Sequence, residues 1–298
     1  MRQEKLASKR VDVISTHCKV YPNYSVIYNQ WESRKAGVLR PDSNRRKGDI
    51  STDSMRRIKQ YVTLLFASSI KKKVYSKKEQ KTFSFKLNFI TLTLPSTQKH
   101  SDNYILLNCL QPFIRTLKRK YHLSQYLWKA ERQKNGNIHF HITTNIFIHH
   151  KHIRRHWNYL MLRHGYIDTT ANPDPNSTDI HAVKNTNNLA SYIAKYISKA
   201  SKDTQPINCK LWDCSNELKQ FNFTLHYIDW DAKSNQQWRE IANVSEKKSF
   251  DYCTLLIHKH QLQDTKSQVG KEYKLRLSQL TARSNQKQLY EVESFSSN

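Results

Sequence analysis

Residues 131–144 read ERQKNGNIHFHITT, and the way this stretch turns decides what it can do. A polar centre, KNG, separates two runs in which apolar and polar residues mix, the pattern of a β-hairpin. KNG suits a three-residue loop with Gly136 in the left-handed region. That loop sets Gln133 opposite Asn137 and Glu131 opposite His139. A two-residue NG turn would set Glu131 opposite Phe140 and carry its carboxylate to the other face. The three-residue loop is the expectation taken forward. Side chains alternate along a strand, so His139 and His141 share one face while Phe140 anchors the strand in the core.

Two imidazoles about 7 Å apart along a strand, with a carboxylate beside them, can converge on one cation. Two nitrogens and one oxygen leave open coordination positions. That set suits a catalytic Mg²⁺ or Mn²⁺ more than a closed, sulfur-rich structural zinc. The chemistry it serves is polarisation of a phosphoryl oxygen. The chain has 14 histidines, and His-x-His also occurs at 150–152 and 258–260. Both of those have lysine in the middle, so nothing ties them to a core.

Charge narrows the partner. Fifty Lys and Arg against 24 Asp and Glu leave a formal +26, with 37% of the 298 residues apolar. A chain this basic calls for a polyanion, and nucleic acid is the usual one. The longest apolar run, YVTLLFA at 61–67, is far short of the roughly 20 residues of a membrane span. The first ten residues, MRQEKLASKR, carry no apolar signal core. Five cysteines without a CxxC argue against a disulfide framework or a zinc ribbon. A cytoplasmic protein is expected.

Three regions are expected: a basic extension over 1–82, a central domain over 83–215, and an extension over 216–298 that is polar and loose after about 261. The first holds one helix, 52–68, opened by a Ser or Thr cap. Its lysine-rich end, 71–81, reads as a solvated linker. The central domain starts with a strand from Phe83 to Pro95. A helix from Ser101 follows, with Pro112 imposing a kink or break. Strands are predicted at 124–133 and 137–148. A helix over 150–165 stops at Gly165. A short strand (178–184), a helix (187–200) and a last strand (209–215) complete the order. This β-α-β-β-α-β-α-β succession is an α+β domain with a mainly antiparallel sheet flanked by helices. Segments 223–230 and 251–258 have strand character.

The helix at 187–200 carries Tyr192 and Tyr196 one turn apart, with Lys195 and Lys199 as a second i,i+4 row. Tyr-Ile-Ala-Lys is followed at once by Tyr-Ile-Ser-Lys. A phenol is a weak nucleophile at its free pKa of about 10. A neighbouring ammonium favours the phenolate, and a cation at the phosphate eases attack. The product, a phosphotyrosine, keeps the energy of the broken diester, so a strand can later be rejoined. Tyr24 and Tyr28 repeat the spacing without the lysines.

Order and context join these motifs. A strand FITLTL (Phe89 to Leu94) comes first, then Glu131 with His139-Phe140-His141, then Leu189 to Lys195 and Ile193 to Lys199. In this the sequence resembles the HUH endonucleases, and among them the rolling-circle replication initiators of small single-stranded DNA phages and related plasmids. The resemblance covers about 83–215. It implies a five-stranded antiparallel sheet with the metal on its face and the tyrosine helix across it. His139, His141 and Glu131 become metal ligands and Tyr192 and Tyr196 the nucleophiles, with Lys195 and Lys199 offsetting phosphate charge. The implied activity is origin nicking, which leaves a 5′-phosphotyrosine and a free 3′-OH, followed by rejoining. A transposase or plasmid-mobilising relaxase of the same superfamily is the near alternative. A basic, aromatic nucleic-acid-binding protein without catalysis is the alternative of another class. No GxxxxGK[ST] loop occurs, so unwinding is expected from a host helicase, with a host polymerase extending the 3′ end in a bacterial cytoplasm.

Overall fold

Along three neighbouring strands Ile90, Leu92, Trp128, Ala130, Phe140 and Ile142 alternate with polar residues, and all six are buried. The computed structural model describes residues 13–31, 50–76, 80–182, 205–221, 223–228, 232–250 and 253–280. The strands are β1 Val13–Val20, β2 Tyr24–Trp31, β3 Lys72–Ser76, β4 Lys81–Phe85, β5 Asn88–Leu92, β6 Tyr126–Arg132, β7 Ile138–Thr144, β8 Thr178–Ala182, β9 Trp212–Cys214, β10 Thr224–Ile228, β11 Ser245–Phe250 and β12 Cys253–His258. The helices used below are α1 Thr52–Ser68, α2 Asp102–Ile105, α3 Gln111–Tyr121 and α4 His150–Arg163. The chain is α+β with antiparallel sheets, and it divides into two compact units.

One unit is Asp42–Phe221 with Arg276–Asn298. Its sheet has the order β8-β5-β7-β6-β9, antiparallel throughout. The odd-even alternation gives this sheet two different faces. On one, the six residues above pack with Phe113, Ile114 and Leu117 of α3 and Ile153, Trp157 and Met161 of α4. Trp157 donates its indole N–H to the Thr93 carbonyl at 2.7 Å and meets Phe113 edge to face. The other face carries Phe89, Thr91, Lys129, Glu131, His139 and His141, as the register requires. The helix α1 packs against β6, burying Ile58, Val62, Leu64 and Leu65.

Local signals shaped these elements. Ser51 caps α1 by accepting from the Ser54 N–H, as its hydroxyl can. The α4 helix ends with the Tyr166 N–H on the Met161 carbonyl and the Gly165 N–H on Leu162, a Schellman closure with Gly165 at φ +72°. Between α2 and α3 the helix widens into a π-turn, Leu106–Leu110, just ahead of Pro112. Proline cannot donate to the ladder, and the wider turn absorbs the mismatch.

Three expectations need correction. The strand expected from Phe83 to Pro95 is two strands: β4 pairs with β3 in a separate hairpin, and β5 enters the five-stranded sheet. The lysine-rich segment expected to be a solvated linker supplies β3 of that hairpin. The tail beyond about 261 is helical over 268–280, with Val269, Tyr273 and Leu277 buried.

The second unit is Met1–Pro41 with Asn222–Leu275. Its sheet has the order β10-β1-β2-β12-β11. The helix Ala232–Asn243 packs on β10, β11 and β12. No helix among the described residues is long and apolar enough to cross a membrane.

Candidate metal centre

The hairpin that presents the centre closes with the Gln133 N–H on the Asn137 carbonyl at 2.9 Å and the Gly136 N–H on Gln133 at 3.0 Å. Gly136 sits at φ +85°, where an L side chain is strained although a Cβ would meet nothing within 4 Å. The three-residue loop sets Glu131 directly opposite His139. Gly136→Ala should cost about 1–2 kcal/mol from backbone strain alone. A urea midpoint shift at unchanged slope would measure it, and an unchanged midpoint would deny the left-handed requirement.

Glu131, His139 and His141 offer one ligand atom each, and these atoms lie within 4.8 Å of one another. Glu131 Oε2 stands 2.9 Å from His141 Nε2 and 3.5 Å from His139 Nε2. Neighbouring ligands in an octahedral shell of about 2.1 Å radius sit about 3.0 Å apart, so these two spacings suit a carboxylate oxygen placed beside each imidazole around one divalent ion. All three side chains are mostly buried, at 10–18% exposure. Both ring nitrogens of His139 are buried without a hydrogen-bond partner among the described residues. A buried orphan nitrogen costs about 1–3 kcal/mol, and a cation between the three groups would satisfy Nε2. The residues present therefore fit a divalent ion.

Electrostatics agree. Burial alone would raise the Glu131 carboxyl. The close approach of His139, the hydrogen bond with His141 and the Lys129 ammonium outweigh it and hold the group well below the usual carboxylate range. Burial lowers His141, with His139 and Lys129 adding to that and Glu131 opposing it. Lys129 is itself 5% exposed, and burial brings it below the ordinary lysine value against the pull of Glu131. The centre thus holds an ionised carboxylate, a readily neutral imidazole and a desolvated cation on one face.

Two neighbours escaped the sequence reading. Thr91 of β5 lies opposite His141, and its Oγ1 is 3.1 Å from His141 Nδ1. When Nε2 donates to Glu131, the hydroxyl donates to Nδ1. When a cation occupies Nε2, Nδ1–H donates to the hydroxyl oxygen instead, fixing the tautomer that binds metal. Thr91→Val should weaken Mn²⁺ binding about tenfold or more, while Thr91→Ser keeps it, as read by calorimetry. Phe89, two residues earlier, stacks on His141 with ring centroids 5.0 Å apart. The FITLTL strand so gains a physical meaning: its alternate residues form the wall behind the metal ligand. Lys129 is the second omission. Its signal was the same alternation, since it lies two residues before Glu131.

The other histidine pairs are accounted for. His150 and His152 lie in the first turn of α4, where i,i+2 residues point apart. His258 is tied by both ring nitrogens, to Ser25 Oγ at 2.9 Å and to the Pro22 carbonyl at 3.1 Å. The four residues Tyr192, Lys195, Tyr196 and Lys199 lie outside the described residues. The chain is described up to Ala182 at the end of β8, and again from Gln205. There the buried Arg132–Asp102 pair (2.6 Å) holds it: Arg132 donates to the carbonyls of Gln205 and Pro206, and Asp102 accepts from the Asn208 N–H.

Comparison with known families bears on this sheet. Residues 87–201 match the family model of the replication-associated protein ORF2. The matched stretch runs from β5 through β8, so it contains Thr91, Glu131, His139 and His141, and it extends over Tyr192 and Tyr196. No curated protein and no solved structure matched the chain. The match supports a replication-associated protein and points to the rolling-circle initiators.

Proposed function

We propose that this chain is a metal-dependent DNA nickase and strand transferase that starts rolling-circle replication, of the HUH class with two tyrosines. The observation that carries the reading is the convergence of Glu131, His139 and His141 inside a stretch matched to replication-associated proteins. Glu131, His139 and His141 would hold Mg²⁺ or Mn²⁺. When bound, the ion supplies a positive charge against a non-bridging oxygen of the scissile phosphate. Lys129 adds a second charge on the same face.

Tyr192 or Tyr196 attacks phosphorus through its phenol oxygen. The Tyr Oη–P bond forms and the P–O3′ bond breaks. The phenol proton is lost, with Lys195 and Lys199 favouring the phenolate, and the departing O3′ is protonated. The strand is left as a 5′-phosphotyrosine with a free 3′-OH. The second tyrosine attacks the regenerated junction in the same way, and the 3′-OH it releases attacks the first phosphotyrosine: a P–O3′ bond forms, the first Tyr Oη–P bond breaks, and the strand is rejoined. The segment that carries the tyrosines leaves from β8, an edge strand of the sheet that bears the centre, and the chain after it is held at residues 205–208 by Arg132 of that sheet and by Asp102. The net charge of +26 supplies sequence-independent grip on the backbone, so binding should weaken steeply with salt. The partners are origin DNA, a host helicase and a host polymerase, in the cytoplasm of a bacterial host.

The test needs no knowledge of the origin. A randomised single-stranded DNA pool is incubated with the chain and Mn²⁺, and protein-linked DNA is recovered after denaturation in SDS. Enrichment of one junction sequence, with the 5′ end on protein, is expected. Cleavage that releases only free 5′-phosphate ends would overturn the tyrosine mechanism.

A further inference from the structure

A second feature lies on the face of the sheet that bears the metal ligands, outside the matched stretch. A cavity of about 850 Å³ opens between the first turns of α1 and the segment leading through β9. Its lining comes from residues 50–61 and 207–219, none within 87–201. Tyr61 and Trp212 stand in it with ring centroids 6.3 Å apart. Arg57, Lys210 and Lys219 bring three positive charges to it against the single carboxylate of Asp213, which binds both lysines at 2.7 and 2.6 Å.

The register connects this cavity to the centre. Trp212 of β9 lies opposite Lys129 of β6, and Lys129 lies opposite His141 of β7. Residues opposite one another share a face. Two strand spacings, about 10 Å, therefore separate the backbone of the cavity's tryptophan from that of a metal ligand. A strand held by its phosphate at the centre reaches Trp212 within its next few nucleotides. Aromatic faces beside a line of cations are the composition of a single-strand site, because unpaired bases expose the faces that duplex DNA keeps stacked. The volume also falls within the roughly 300–1,000 Å³ of sites that enclose a small organic group.

We propose that this cavity is a single-stranded DNA subsite: a base next to the scissile junction stacks on Tyr61 and Trp212, and its flanking phosphates lie against Arg57, Lys210 and Lys219. The assignment deepens the nicking function and rests on it for the identity of the strand as DNA. The subsite would hold the junction in register before the tyrosine attacks.

The test is metal-free binding of the full chain to a fluorescent mixed-sequence single-stranded 20-mer, read by anisotropy in EDTA. Trp212→Leu and Tyr61→Leu should each weaken binding about tenfold, while Trp212→Phe stays within about threefold. Arg57→Gln should lower the salt slope by about 0.7, the share of one phosphate contact on a single strand. Arg163→Gln, on the opposite face of the sheet, should leave affinity within about twofold. Thermal melts of every variant separate lost binding from lost folding. Wild-type affinity in both leucine variants would overturn the proposal. So would competition by a mononucleotide as effective as that by the 20-mer, or equal affinity for duplex or single-stranded RNA. Weakened binding with no covalent adduct in the pool assay would sink the nicking function and leave the subsite standing. An adduct formed with unweakened binding would do the reverse.

Discussion

Tyr192→Phe combined with Tyr196→Phe should abolish the SDS-stable adduct and lower cleavage by about 10⁴-fold or more, the scale on which loss of a nucleophile is felt. The substitution removes two oxygens and keeps both rings. Net charge and the Glu131–His139–His141 group are unaffected, so Mn²⁺ affinity and oligonucleotide binding should be unchanged. That invariance is the second readout, and it separates a lost nucleophile from a damaged fold. Each single variant should still cleave, since the proposed mechanism lets either phenol attack the phosphate. What a single variant should lose is the second exchange: it forms an adduct and fails to rejoin the strand into a closed circle. Persistent cleavage by the double variant, with free 5′-phosphate, would mean that water is the nucleophile and that the paired Tyr-x-x-Lys units have another role.

The metal hairpin could be read in advance because its determinants are local. One glycine, one loop length and one alternation set Glu131 against His139, and all three lie within eleven residues. The same holds for the α1 cap, the Gly165 stop and the break at Pro112. The partners of the hairpin were not local. Thr91 meets His141 through a register between strands 50 residues apart, which no turn chemistry specifies. Lys129 is two residues from Glu131, but its burial depends on what covers the face, which the strand pattern does not specify. The second sheet is the extreme case. It pairs Tyr28 with Cys253, and its edge strand β11, SEKKSF, is largely exposed and without apolar alternation. The residues at either end of the chain were therefore read as extensions, when β1, β2 and β10–β12 form one sheet.

Glu131→Gln should reduce Mn²⁺ affinity about 100-fold and cleavage in saturating DNA by about 10³-fold, and His141→Ala at least as much. Glutamine keeps the shape and removes the charge that faces two imidazoles at 2.9 and 3.5 Å. EDTA should abolish cleavage in the wild type while leaving the melting transition of the sheet in place. The pH dependence gives a sharper check. Protons compete with the cation for imidazole nitrogen, and burial keeps His141 below its ordinary value. Protonation of His141 should therefore weaken Mn²⁺ binding only at a pH below that at which an ordinary imidazole takes up its proton. Glu131 remains ionised there, because its carboxyl is held low. Its own contribution to folding stability is present above the unfolded value of about 4.3 and is lost as pH falls below it. In Glu131→Gln the influence that raises His141 is gone, so the imidazole resists protonation further. The weakened affinity that remains should then be less sensitive to acid than in the wild type. Greater acid sensitivity in that variant would mean that Glu131 and His141 do not share one cation.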